Sequence, residues 1–183
     1  MKIGLVRHFK VKQAYPFGRS LSACEVDQWF RDYDEADIEE GSTDLGGIEW
    51  DCCYASDLPR AIRTAEKIHV GPIYQMAELR EIPAPTFETK FKLSFVWWAL
   101  LIRMSWLINR QTRQDIRHAK ARINKVLDQA IAQKEGNVLI VSHAALMKFL
   151  RKELLNRGFK GPGFGHAKNG MLYVFEMRKG RDL

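Results

Sequence analysis

The apolar positions of this 183-residue chain fall into short unbroken runs separated by longer, periodic stretches. The first run, Ile3-Gly4-Leu5-Val6, is the aliphatic kind that makes a strand buried on both faces of a parallel sheet. The text then turns polar, and Pro16-Phe17-Gly18 marks a loop. Ser20-Leu21-Ser22 opens a helical stretch to about Tyr33, with Leu21, Val26, Trp29 and Phe30 roughly on one face. Gly46-Gly47 breaks the chain, Trp50 to Ala55 reads as a second buried strand, and Pro72 to Met76 as a third. The clearest strand is Val138 to Val141, introduced by Asn137 and followed by a helix carrying Leu146, Phe149, Leu150 and Leu154. A last apolar strand follows Asn169-Gly170.

In open α/β sheets, ligands bind just beyond the carboxyl ends of the strands. Arg7 and His8 stand at such an end. The arginine offers a planar cationic fork suited to phosphate or carboxylate. The histidine can serve as nucleophile, base or acid near neutral pH. After the second strand, Ser56 or Asp57 can cap a helix with Pro59 in its first turn. That places Arg60 where free backbone N–H groups also favour an anion. His143 occupies a third junction, after Val141-Ser142. Singly, each residue has an ordinary reading: a chance Arg-His pair, a solvated helix arginine, a hydrogen-bonded structural histidine. Two imidazoles and two guanidiniums at strand ends and helix starts point instead to one anion-binding crevice.

Length and composition predict one soluble domain over residues 1–183, with 46% hydrophobic and 28% charged residues. Cys24, Cys52 and Cys53 make neither a disulfide framework nor a metal-ligand spacing. Without a signal-peptide pattern, a cytoplasmic location is expected. The formal net charge of +7 favours anionic partners without choosing among phosphorylated small molecules, nucleic acid and membranes. Much of that charge, including Arg178, Lys179 and Arg181, reads as solvated surface, as does the acidic run Asp32 to Glu40.

Four segments in order then carry a family resemblance: Leu5-Val6-Arg7-His8, the block from Tyr54 through Ser56-Asp57-Leu58 and Arg60-Ala61 to Thr64-Ala65, Leu79-Arg80-Glu81, and Val141-Ser142-His143-Ala144. The chain resembles the histidine phosphatase superfamily, also called phosphoglycerate mutase-like. The resemblance leaves out roughly residues 83–130. It implies a three-layer α/β/α sandwich with a mostly parallel mixed sheet; the atypical residues 83–133 are expected to form a helical insertion over the C-terminal edge of that sheet. It also implies catalysis through a phosphohistidine intermediate, with no metal and no cofactor. Carried over by motif, His8 matches the nucleophile, Arg7, Arg60 and His143 the phosphate pocket, and Glu81 the acid that protonates the leaving oxygen. Glu78 is the fallback acid. Lys10 and His166 are further candidates for substrate contact.

Departures from the family pattern bear on activity and specificity. Phe9 stands where the family usually has Gly, Val11 and Ala14 replace a common Thr and Asn, and Pro83-Ala84-Pro85 replaces the usual sequence after the acid. The least typical segment is Phe91 to Ile108, with Trp97, Trp98 and Trp106. Phe95, Trp98, Ile102 and Trp106 recur at helical spacing, while Trp97, Leu101 and Met104 fill another face. Three readings of it rank in order: a buried core helix, a pocket-mouth or dimer contact, and an interfacial membrane anchor. Gln111 to Lys134 reads as a basic, solvated helix. The expected activity is hydrolysis of phosphomonoesters, small or on a phosphopeptide, releasing inorganic phosphate. A mutase ranks below it, and a non-catalytic phospholigand-binding module is the alternative. Neither nucleic acid nor a membrane is the expected partner, and a homodimer is left open.

Overall fold

Along the chain the elements are β1 (Lys2–Arg7), β2 (Ser20–Leu21), α1 (Ala23–Glu35), β3 (Cys52–Ser56), α2 (Pro59–Ile68), β4 (Ile73–Met76), a 3-10 turn (Ala77–Leu79), β5 (Leu93–Ser94), α3 (Phe95–Ile108), α4 (Arg110–Ala132), β6 (Val138–Ser142), α5 (Ala144–Asn156), β7 (Phe159–Lys160) and β8 (Leu172–Met177). The computed structural model describes residues 1–132 and 136–177. Lys134, Arg178, Lys179 and Arg181 lie outside the described residues.

Six strands form one sheet in the order β4-β3-β6-β1-β8-β7. β4, β3, β6 and β1 run parallel, and β8 joins β1 antiparallel. β3 and β6 are buried along their whole length and β1 along its four middle residues, as expected of strands covered on both faces. One face carries Ile3, Leu5, Tyr54 and Ile140 against α4 (Ile123, Leu127) and α5 (Leu146, Leu150). The other carries Val6, Cys53, Ala55 and Val141 against Ala61 and Ala65 of α2. This is the expected three-layer, mostly parallel α/β arrangement. Gly4 sits in β1 because Trp50 fills the space above it: a Cβ there would meet Trp50 Cη2 at 2.6 Å.

Several boundaries move from the sequence reading. The second strand begins at Cys52, because Trp50 turns inward to cover Gly4, and the third begins at Ile73. The first helix starts at Ala23 behind a capping box in which Ser22 and Glu25 bond each other's backbone N–H. Ser20-Leu21 leaves the predicted helix to pair with Leu93-Ser94. Neither Ser56 nor Asp57 caps α2. Leu58 holds the N-cap, Ser56 Oγ accepts from its N–H at 3.3 Å, and Asp57 is taken by Arg80 in two bonds of 2.7 and 2.6 Å.

The largest correction concerns α3. A helix apolar on all sides predicts burial, yet only Trp98 and Ser105 are buried in it. Trp98 anchors it, with its Nε1–H donating to the Leu21 carbonyl at 2.9 Å. Val96, Trp97, Leu100, Met104, Leu107 and Ile108 are exposed. No helix among the described residues is long and apolar enough to cross a membrane.

Candidate active site

The parallel strands end along one edge of the sheet, which gathers the residues that follow them. β1 ends in Arg7-His8, His143 stands at the N-cap of α5 directly after β6, and Arg60 lies in the first turn of α2 after β3. Glu81 arrives from the loop beyond the 3-10 turn. All five side chains line one cavity of about 770 Å³.

The end of β1 is clamped from several directions. His8 N–H donates to Ser142 O at 3.0 Å, Gly170 N–H to Arg7 O at 2.9 Å, and Asn169 Nδ2 to His8 O at 2.7 Å. Phe9 N–H donates to Thr64 Oγ1 at 2.9 Å, and its ring is buried against Gly41 and Gly170. At Gly170 a Cβ would lie 2.7 Å from that ring and the backbone φ is +66°, so both space and conformation require glycine there. Phe9 therefore acts as a packing residue behind the histidine. Val11 is likewise buried, bridging to Ile38, and the Ala14 carbonyl accepts from Trp29 Nε1 at 2.9 Å.

Hydrogen bonding fixes opposite tautomers on the two imidazoles. His8 Nδ1 lies 2.6 Å from the Phe9 carbonyl oxygen, which can only accept, so Nδ1 carries the proton and Nε2 keeps a lone pair. Arg60 Nε can only donate, and it meets His143 Nδ1 at 3.2 Å, so the His143 proton sits on Nε2. The rings are 5.2 Å apart. His143 Nε2 and Arg7 Nε are buried without a protein partner. Buried donors are normally satisfied, so these two mark where an acceptor with several oxygens fits.

Burial drives the electrostatics, reinforced by the arginines. Desolvation first, then the charge of Arg60, lower the His8 pKa to about 3; the Phe9 carbonyl pulls it upward, and Arg7 adds a smaller lowering. Burial and the same two cations hold His143 well below the usual imidazole range. Glu81 shifts the other way: burial raises its pKa, although the N–H groups of Ala145, Ile82 and Leu146 favour the anion. Oε1 accepts from Ile82 and Leu146, whereas Oε2 accepts from Ala145 alone, each bond being 3.0 Å. Oε2 thus retains a lone pair able to hold a proton. Glu78 instead pairs with Lys125 and its pKa is lowered, primarily by that hydrogen bond.

Not every sequence candidate joins the cavity. Lys10 pairs with Glu39 at 2.7 Å and is no part of the lining, because the strand-to-loop turn at Phe9 sends the lysine to the acidic run. His166 reaches the site indirectly, its Nε2 accepting from Arg7 Nη1 at 2.8 Å; the same Nη1 also donates to Ala167 O at 3.0 Å. One residue of the supposedly solvated acidic run faces the site: Asp34 accepts from Arg60 Nη1 at 2.7 Å. Tyr33 lies beneath the same guanidinium, 5.2 Å from its carbon to the ring centroid. Their helical offset of four from Trp29 and Phe30 was the available signal. Those aromatics line the cavity with Tyr15, and Phe95, Ile102 and Trp106 of α3 complete its apolar wall. Trp29 and Phe95 pack edge to face within that wall, their ring centroids 4.8 Å apart.

The arrangement can hold a tetrahedral anion between cations and neutral donors, oppose it with an unprotonated imidazole nitrogen, and supply a proton from an enclosed carboxyl. No group of three or more His, Cys, Asp or Glu side chains among the described residues is placed to hold a metal ion.

Comparison with known proteins bears on the fold and the family. The histidine phosphatase superfamily (branch 1) profile matches residues 34–182, a span that includes Arg60, Glu81 and His143 but begins after His8. The fold is similar to α-ribazole phosphatase from Shigella flexneri (TM-score 0.59, 17% identity, 98% of this chain and 92% of that one). It is also similar to Bacillus stearothermophilus YhfR (0.57, 20%, 85% and 80%) and to a mycobacterial glucosyl-3-phosphoglycerate phosphatase (0.53, 17%, 94% and 88%). No curated protein matches the chain. Most of the sequence satisfies the family profile, and the chain belongs to the histidine phosphatase superfamily, branch 1.

Proposed function

We propose that the protein is a phosphatase that hydrolyses phosphomonoesters through a phosphohistidine at His8. The observation that carries this reading is the pair of opposed tautomers, a bare Nε2 on His8 beside an Nε2–H donor on His143, held by Phe9 O and Arg60. His8 Nε2 attacks phosphorus as the ester P–O bond breaks. Arg7, Arg60 and His143 hold the phosphoryl oxygens, whose charge must be stabilised in flight. The leaving alkoxide takes the proton of Glu81. Water, deprotonated by the same carboxylate, then attacks phosphorus, breaks the N–P bond and releases inorganic phosphate, which restores both His8 and protonated Glu81. Low basicity keeps His8 neutral, and hence nucleophilic, throughout the mildly acidic and neutral range. Two of the fold neighbours are named phosphatases, the same reaction class.

A second reading, a non-catalytic module that binds phosphorylated ligands, is favoured by one contact: Asp34 occupies the Arg60 Nη1 that a phosphate oxygen would use. Turnover of para-nitrophenyl phosphate by the parent protein, lost in His8→Ala together with the acid-labile phosphoprotein trapped by quenching, supports the enzyme. Binding of inorganic phosphate with no turnover in the parent protein would overturn it in favour of the module.

A further inference from the structure

α3 has two apolar sides that face different surroundings. Phe95, Ile102 and Trp106 line the cavity, whereas Val96, Trp97, Leu100, Met104, Leu107 and Ile108 are exposed. At about 100° per residue, the exposed positions make one contiguous stripe roughly 120° wide, directed away from the cavity side. Monomeric soluble proteins seldom leave such a stripe open, and where they do it marks a contact surface.

Charge around the stripe says which kind of surface. Residues 83–132 carry nine Lys and Arg against three Asp and Glu, most of the chain's net +7. Lys90, Lys92, Arg103, Arg110 and Arg113 are all exposed, and among the described residues none forms a salt bridge. A second copy meeting this face about a two-fold axis would bring the same cations together uncompensated. An anionic bilayer would neutralise them and take the apolar side chains, with Trp97 at the depth where indoles prefer to sit. The helix is too short and too flanked by charge to span, so it would lie in the interface.

We propose that the outward face of α3 seats on an anionic lipid surface, and that the cavity behind it takes a phosphomonoester of a long apolar alcohol from that surface. The substrate half rests on the phosphatase reading above. The phosphate would reach the His8, Arg60 and His143 end of the cavity while the chain lies along the apolar wall that Trp29, Phe95, Ile102 and Trp106 line. Hydrolysis would leave the apolar alcohol in the bilayer and release inorganic phosphate to water. The sequence ranked a membrane contact last for this segment because an all-round apolar helix normally disappears into a core. Its exposure reverses that order.

The test uses the full chain and a double variant, Leu100→Asp with Leu107→Asp, at two exposed positions outside the cavity lining. Parent protein should pellet with phosphatidylcholine vesicles containing phosphatidylglycerol, pellet less with phosphatidylcholine alone, and shift its tryptophan emission to the blue. The variant should bind roughly tenfold or more weakly, as charges driven into an apolar contact would cause. It should also lose turnover of dodecyl phosphate held in vesicles while hydrolysing para-nitrophenyl phosphate as the parent does. Equal pelleting of parent and variant, or none by the parent, would overturn the docking face. So would a parent dimer, without vesicle binding, that the variant dissociates. Vesicle binding by a parent that turns over neither ester would overturn the phosphatase reading and the lipid substrate, leaving the docking face intact. Turnover of the aryl ester alone would overturn only the lipid substrate.

Discussion

Asp34 places a carboxylate on Arg60, the guanidinium that also orients His143, so an incoming phosphate must share or displace it. The carboxylate is half-exposed while the guanidinium is buried, and an asparagine amide oxygen could still accept from it, so the substitution removes the charge without leaving the cation unpartnered. Asp34→Asn should therefore tighten inhibition by inorganic phosphate by up to roughly fivefold with little change in fold stability, read as the inhibition constant. Glu81 makes a different demand on the site. Its raised pKa keeps a proton available at acidic pH, and Glu81→Gln should lower kcat by about a hundredfold or more. KM should change little, and the alkaline fall of the pH–rate profile should disappear. An unaltered profile in that variant would remove Glu81 as the acid. Sequence reading brought both imidazoles and both arginines to one crevice because motif and strand end coincide there, and it had Glu81 from the motif alone. It missed Asp34 because an acidic residue in an acidic run looks solvated until its partner, 26 residues later, is in place.

At the scale of elements, α3 depends on one fully buried side chain. Trp98 packs with Leu21, Val26 and Phe87 and closes a hydrogen bond to the Leu21 carbonyl. Trp98→Ala should cost about 3–5 kcal/mol by cavity formation and loss of that bond. Denaturant unfolding would measure it, and a cost well under 1 kcal/mol would mean that α3 is not anchored as described. The matching change on the outward face, Leu107→Ala, should cost almost nothing, since Leu107 is 77% exposed. The apolar pattern predicted α3 correctly as a helix but not its burial. Periodicity reports which residues share a side of a helix; it does not report how many sides other elements will cover.

For the whole molecule, folding removes two imidazoles from water in neutral form. Unfolded, each titrates near 6.5; folded, His8 falls to about 3 and His143 lies well below its ordinary value. Between these limits the unfolded chain binds protons that the folded chain refuses, so stability is complete above pH 6.5 and declines as pH falls towards 3. Each such proton contributes about 1.4 kcal/mol per pH unit. Glu81 has the opposite sign, because the folded state keeps a proton the unfolded state loses above 4.5, and it offsets part of the decline near there. Urea unfolding at pH 7.5 and 5.5, without phosphate, should show lower stability at the acidic value, and His8→Gln should reduce the difference. Equal stability at both values would contradict the buried neutral pair.

Unbroken aliphatic runs determined β1 and β6, since only a strand covered on both faces uses so many consecutive apolar residues. Motifs at their ends determined which edge of the sheet would hold charge. The boundaries at Trp50, Ser20 and Ser56 were decided in three dimensions, where a ring over Gly4, a strand pairing with Leu93-Ser94 and a guanidinium on Asp57 outweighed local preference. Tautomers on His8 and His143, the Asp34 contact and the open face of α3 were decided there too. Each depends on a neighbour distant in sequence, and a linear pattern carries no record of which distant residue will arrive, or whether any will.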